Sequence, residues 1–564
     1  MRDNHNLPMV FGTETEFGFS FGRVLDETMA RYYPADFPEK TFHLIIKYVA
    51  EKVGAFIRNP CDPWERAGIN QLGKLTIQKM AEAATSIGSS YDDYDLPERF
   101  RGLISKNIVS LMDYYMGEIG IFLPNASRLY IDGAHLEYSI GECRNPYEVV
   151  CQEKAMEMIL AEAVLEVQKV CGREIFLFKN NTDYKGHSYA CHSNYSLKLE
   201  FFNRLYEENI WSRAWLSFIA TSIIFLGSGK VGYENGEPCS YQISQRADHM
   251  LKIFGTVTLH DRPMINLRSE PLADPDKWGR FHVILDDSNM SEWSIYLKVG
   301  TKALVLNMLQ HHYLSGLRCE DRCVDIDNSI LLNDPLKVMK FISRDLTCKK
   351  PLSLSNSCFG YSALEIQKRW LALVKHFYEN QRNYDKTRWI FDVIKKWGQV
   401  LEWIENEDPI LDSVLDWRIK KRFVDIHVER RAQRGLLSSI ESSQSLDLSY
   451  HDIGAGGLYN RLSEINRFAR NEDIEIARFS PSENTRAWFR GQLIKHFPQH
   501  LIDVSWELLI FDIEVGGFRS RVRLEPDPIL SNRLEVGIIF DKLGNYEEFC
   551  RKFLDLYLSQ RNSF

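Results

Sequence analysis

Apolar flanks at Met9–Phe11 and Phe17–Phe19 enclose the polar run Gly12-Thr13-Glu14-Thr15-Glu16, and together they read as a strand within residues 1–20. Residues 21–120 change to helical periodicity, with helices expected over 41–56 and 75–86 and a polar, acidic, turn-rich loop over 86–99. Between 121 and 300 strands alternate with helices. One apolar strand, Ile175–Phe178, runs into a polar loop containing Gly186 and back into alternation at Cys191–Tyr195. Residues 301–430 are mainly helical, with amphipathic runs over 362–379 and 388–405. Trp370, Phe377, Trp389, Trp397, Trp403 and Trp417 fall at helical spacing there and are expected in the core. The segment 214–227 is the longest apolar stretch, too short for a bilayer and expected as a buried helix. A compact C-terminal unit follows from about 475, with a helix over 485–498 and a strand over 505–513. The pattern predicts an α+β protein with a large domain at 1–475 and a small one at 476–564.

Composition narrows the function classes. Across 564 residues the net charge is −8, which argues against a broad nucleic-acid surface. The first residues, Met1–Asn6, are polar and lack a signal-peptide core. Eleven cysteines, an odd number without CxxC pairs, suit free thiols in a reducing, cytoplasmic setting. His311, His312, Cys319 and Cys323 match no common zinc spacing. The bases Arg418, Lys420, Lys421, Arg422, Arg430, Arg431 and Arg434 read as a solvated helix face or as a surface for an acidic partner.

The carboxylates carry more. Strand alternation points Glu14 and Glu16 the same way. Like charges that close repel unless a cation or a proton relieves them, although a solvated strand face also accommodates such a pair. Mg²⁺ is the usual cation where carboxylates face a phosphate. In Arg128-Leu129-Tyr130-Ile131-Asp132-Gly133-Ala134-His135-Leu136-Glu137, Tyr130 and Asp132 share a strand face and Glu137 follows a turn-prone glycine.

These blocks together resemble the Pup ligase and Pup deamidase/depupylase family, whose catalytic domain is related to glutamine synthetase. The matching segments are GTETEFG (12–18), SRLYIDGAHLEYS (127–139), LFKNNTDYKGHSY (177–189), QISQRADH (242–249), INLRSEPLADPDKWGRFHVI (265–284), DSNMSE (287–292), YLKVGTKALVL (296–306), LDLSYHDI (446–453) and TRAWFRG (485–491). The resemblance implies a curved antiparallel sheet cradle packed by helices, with ATP and Mg²⁺ bound in it. By matching position it implies Glu14, Tyr130 and Glu137 at the metal, with Glu16 supporting them. His192, Asn194, Arg246, Arg268, Arg280 and His282 are implied at the nucleotide, and Asp132 as the catalytic carboxylate, either base or nucleophile. The segment 21–120 would lie between the two carboxylate strands, as a lid or as an embellishment.

Branch features are mixed. The compact Asp132-Gly133-Ala134-His135 spacing, Gly227–Gly232 and the C-terminal blocks look like the depupylase branch. Asn180–Asp183 and Ser288–Met290 look like a ligase. The chain also departs from the family pattern: Ser193 and Ser269 replace carboxylates expected near the nucleotide, Leu272 replaces His and Leu136 replaces Pro. The implied activity is ATP/Mg²⁺-dependent amidase and isopeptidase action on the C-terminal residue of a small Pup-like modifier and its lysine conjugates. The alternatives are a ligase on the same fold, or a divergent modifier-binding relative.

Overall fold

The computed structural model describes residues 7, 9–32, 38–57, 120–207, 210–232, 234, 241–268, 270–315, 330–354, 360–381, 387–436, 439–529 and 546–561. The expected helix over 75–86, the loop over 86–99, Ser269, Cys319 and Cys323 therefore lie outside the described residues.

The main sheet is built from β1 (Phe11–Val24), β2 (Phe56–Ile57), β3 (Ile121–Phe122), β4 (Arg128–Asp132), β5 (His135–Ser139), β6 (Arg173–Phe178) and β7 (Cys191–Lys198), followed after the short pair β8 (Lys230–Val231) and β9 (Tyr241–Gln242) by β10 (Lys252–Gly255), β11 (Pro263–Asn266) and β12 (Trp278–Val283). Its order is β10-β11-β12-β7-β1-β5-β4-β3-β2, with β6 on the second half of β1. Every pairing in it is antiparallel except β10 with β11.

β1 is the axis of the site. Its first half is flanked by β5, with Glu14 opposite Ser139 and Glu16 opposite Glu137, and by β7, with Glu14 opposite His192. Burial alternates along it: Phe11, Thr13, Thr15 and Phe17 face the core, while Glu14 and Glu16 face out. The apolar side packs on the helices Pro146–Cys171, Ile210–Leu226 and Glu292–Leu314. The first of these starts at an Asn145/Glu148 capping box and stops at Gly172. Gly172 has φ 64°, and a Cβ there would sit 2.6 Å from the carbonyl oxygen of Asp26.

The helical half matches its periodicity. Helices run over Ala363–Glu379, capped by Ser362, and over Arg388–Asn406. Trp370, Trp397 and Trp417 are buried, while Trp389 and Trp403 pack against the core from its margin. The basic run forms the helix Asp416–Gln433, and its inner face is not solvated: Lys420 is fully buried with Asp447 and His451. Arg418, Lys421 and Arg422 pair with Asp412, Asp425 and Glu464.

At the C-terminal end β13 (Leu501–Val504), β14 (Leu509–Val515) and β15 (Phe518–Leu524) form a meander. Phe489, Leu493, Phe511, Phe549 and Phe553 make a separate apolar cluster there, joined by Phe122 of the main sheet. The preceding helix Asn471–Ala477 packs instead on Cys151 and Ala155 of the long helix.

Candidate active site

The outward face of β1, β4, β5, β7 and β12 collects most of the residues singled out in the sequence. Two groups form around the two β1 carboxylates.

The first centres on Glu14. His192 Nδ1 donates to its Oε2 at 3.1 Å and Asn194 Nδ2 to its Oε1 at 3.1 Å. Arg280 Nη1 donates to Oε1 at 3.3 Å, and His282 Nε2 lies 3.5 Å from Oε2. Burial opposes the charge on Glu14, but His282, the His192 hydrogen bond and Arg280 outweigh it and hold the carboxyl well below its usual range.

The second group is Glu16, Asp132 and Glu137, whose carboxylate oxygens lie within 4.8 Å of one another. Tyr130 OH donates to Glu137 Oε1 at 2.6 Å and lies 3.3 Å from Ser139 Oγ. Burial first, then Glu14, Glu16 and Asp132, raise the Glu137 carboxyl well above its usual range. The backbone N–H of Ala190 binds Glu16. Asp132 is exposed, at the end of the β4–β5 hairpin and opposite His135.

The two remaining arginines make their side-chain hydrogen bonds away from Glu14. Arg246 donates through Nη1 to Ser188 Oγ and to the Tyr189 carbonyl, and of the neighbouring charges that of Glu16 acts on it most. Arg268 gives Nε to the Thr256 carbonyl at 2.7 Å, at the sheet margin.

Ser193 is not on this face. It is fully buried on the reverse of β7, where its hydroxyl donates to Asp286. The expectation that Ser193 removes charge from the nucleotide side is therefore corrected: between His192 and Asn194, strand alternation turns it inward. Leu136 is likewise buried. Leu272 lines a cavity beside Glu14 and has φ 51°.

That cavity also brings in residues that the sequence did not assign to the site. Gly12, Asn194 and Arg280 form its sheet side, and Arg486 and Trp506 close it from the C-terminal unit. Arg486 and Arg490 both bind Glu142, which burial alone would raise but these arginines bring down to about 2. Arg128 also joins the site unforeseen. Its guanidinium sits 4.4 Å from the centre of the Tyr130 ring, and its position two residues before Tyr130 is the signal the sequence carries for it.

The donor chemistry fits a hard divalent cation, since three carboxylates and a phenol converge and one carboxylate is raised by burial and then by the others. It also fits a polyanion. The Nε–H donors of Arg280 and Arg246 are buried without a hydrogen-bond partner.

Among the described residues, no helix is long and apolar enough to cross a membrane. The family described as Pup-ligase protein matches residues 9–510. A depupylase of Acidothermus cellulolyticus is 34% identical over 444 residues, covering 78% of this chain and 84% of its own. A Pup–protein ligase of Rhodococcus opacus is 34% identical over 386 residues, covering 66% and 80%. The crystal structure of the complex between the prokaryotic ubiquitin-like protein Pup and its ligase PafA superimposes with a TM-score of 0.67 at 25% identity, over 94% of this chain and 91% of that one. The Pup ligase PafA in complex with ADP gives 0.63 at 29% identity, over 78% and 92%. A match over most of the chain, on the glutamine synthetase-like fold of PafA, establishes that this chain belongs to the Pup-ligase family, which includes both ligases and depupylases.

Proposed function

We propose that this protein is an ATP- and Mg²⁺-dependent amidase and isopeptidase that acts on the C-terminal residue of a small Pup-like modifier and on its lysine conjugates. The observation that carries the reading is Asp132, an exposed carboxylate whose oxygen lies within 4.8 Å of those of Glu16 and Glu137. The compact Gly133-Ala134 turn before His135 and the longer alignment with the depupylase support the hydrolytic branch.

In this reading Glu14, Glu16, Tyr130 and Glu137 hold Mg²⁺, which would neutralise phosphate charge and the repulsion between the carboxylates. His192, Asn194, Arg280 and His282 orient the nucleotide beside Glu14, and Arg246 and Arg268 add positive charge further along the sheet. Asp132 attacks the terminal carboxamide or isopeptide carbonyl. The C–N bond breaks, ammonia or the lysine amine leaves with a proton taken from water, and a second water then hydrolyses the acyl link, giving the modifier's carboxylate and regenerating that of Asp132. As a base, Asp132 instead takes a proton from the attacking water. The proposal includes a cytoplasmic location and a division into a catalytic domain at 1–475 and a small domain at 476–564.

One observation favours the ligase as a second reading. The two ligase-like segments interlock, with Asn181 Nδ2 donating to Ser288 Oγ at 3.1 Å and Ser288 N to Asn181 Oδ1 at 2.7 Å. Incubation with Mg-ATP, a lysine-bearing substrate and a Pup-like modifier ending in Gln or in Glu, read by intact mass, tests the choice. Loss of the terminal amide supports the hydrolase. A conjugate of the Glu-ended modifier with ADP formed in step supports the ligase.

A further inference from the structure

All four side chains gathered on Glu14 come from two adjacent strands: His192 and Asn194 from β7, Arg280 and His282 from β12. The two strands meet in register at His282 opposite Asn194 and at Val283 opposite Ser193. Directly behind that point lies a buried ion pair. Asp286, three residues beyond the end of β12, accepts the Ser193 hydroxyl on Oδ2 and the Lys302 ammonium on Oδ1. Lys302 belongs to the helix Glu292–Leu314. Ser193 and Lys302 are wholly buried and Asp286 almost so.

Burying such a pair costs several kcal/mol of desolvation per ion, so it is weak evidence for stability alone. A hydrogen bond to a charged acceptor is strong and directional. Here it ties the one inward residue between His192 and Asn194 to the chain leaving β12 and to the helix behind both. A shift of β7 along β12 would break it and would move all four partners of Glu14 with it.

We propose that Ser193, Asp286 and Lys302 form a positioning device that locks β7 to β12 and so fixes the His192, Asn194, Arg280 and His282 cluster around Glu14. None of the three residues touches the outward face. The proposal rests on the reading of that face as the Mg-ATP site.

The test is calorimetric titration of Mg-ATP into the full chain and its Ser193 variants, with thermal melting alongside. Ser193→Ala leaves the Asp286–Lys302 pair in place. It is expected to melt within a few degrees of the wild type but to bind Mg-ATP about 5–20-fold more weakly, whereas Ser193→Thr, which keeps the hydroxyl, binds within about twofold of wild type. Equal affinity in Ser193→Ala and wild type overturns the proposal. Should Ser193→Ala not fold, Ser193→Cys against Ser193→Thr gives the same comparison, since a thiol is a poor donor; equal affinities again overturn it. A wild-type chain that binds no Mg-ATP refutes the nucleotide reading itself, a result distinct from wild-type binding that the variants leave unchanged.

Discussion

Glu142 should hold the C-terminal unit against the main sheet, and replacing it with Gln should loosen that attachment in a pH-dependent way. Arg486 Nε donates to Glu142 Oε1 at 2.6 Å, and Arg490 reaches both carboxylate oxygens while also donating to the Trp506 and Ala126 carbonyls at 3.1 and 3.2 Å. A carboxyl that falls from 4.5 to about 2 on folding favours the folded state by about 3 kcal/mol at neutral pH. Removing one partner from a buried ion pair gives about 3–5 kcal/mol by a separate route. The two agree, so Glu142→Gln should cost about 3 kcal/mol, concentrated in the C-terminal unit. Because the folded pKa is depressed, this stabilisation is complete above about pH 4.5 and disappears as pH falls towards 2. Urea unfolding of wild type and variant between pH 7 and pH 2.5, with limited proteolysis to locate the loosened region, measures it. A difference under about 1 kcal/mol at pH 7, or one that stays constant down to pH 2.5, would rule out Glu142 as the clamp.

Three further outcomes follow from the site. Glu14→Gln removes the charge that His192, Asn194 and Arg280 converge on, and calorimetry should show Mg-ATP affinity reduced at least about tenfold; unchanged affinity would take Glu14 out of the site. Glu137→Gln should stabilise the metal-free protein at pH 7, because burial and the neighbouring carboxylates raise the folded carboxyl above its usual range and its ionisation costs stability as pH rises. Urea midpoints in EDTA and in MgCl₂ check this, with the Mg²⁺-dependent gain expected to shrink in the variant. Asp132→Asn should keep the fold and Mg-ATP binding while turnover falls at least about 10³-fold; retained turnover would remove Asp132 from the chemistry.

Period-two alternation makes much of this site legible in the sequence. It places Glu14 and Glu16 on one face of β1, and Tyr130 and Asp132 on one face of β4, as they are found. The same alternation sends Ser193, between His192 and Asn194, to the back of β7, where a carboxylate lost from the family pattern no longer bears on the outward face. What alternation cannot give is the neighbouring strand. The division of the carboxylates into a Glu14 group and a Glu16 group depends on the register of β1 against β5 and β7, which joins residues over a hundred positions apart. Arg486 lies in a segment the sequence marks, but its place at the cavity, with those of Trp506 and Glu142, is illegible for a related reason, since all three reach it by packing between the C-terminal unit and the main sheet. Lys420 reads as one base in a basic run, and only the helix packed against it, carrying Asp447 and His451, reveals it as a buried ion-pair partner.

Hydrolysis at Asp132 is tested most directly by intact-mass spectrometry of the purified chain with Mg-ATP and a Pup-like modifier, supplied with C-terminal Gln, with C-terminal Glu, and already joined to a lysine substrate. A hydrolase removes the terminal amide from the first and releases the lysine substrate from the last, and both reactions should be absent in Asp132→Asn. A new conjugate of the Glu-ended modifier, formed with ADP and without any hydrolysis in the other two samples, would contradict it.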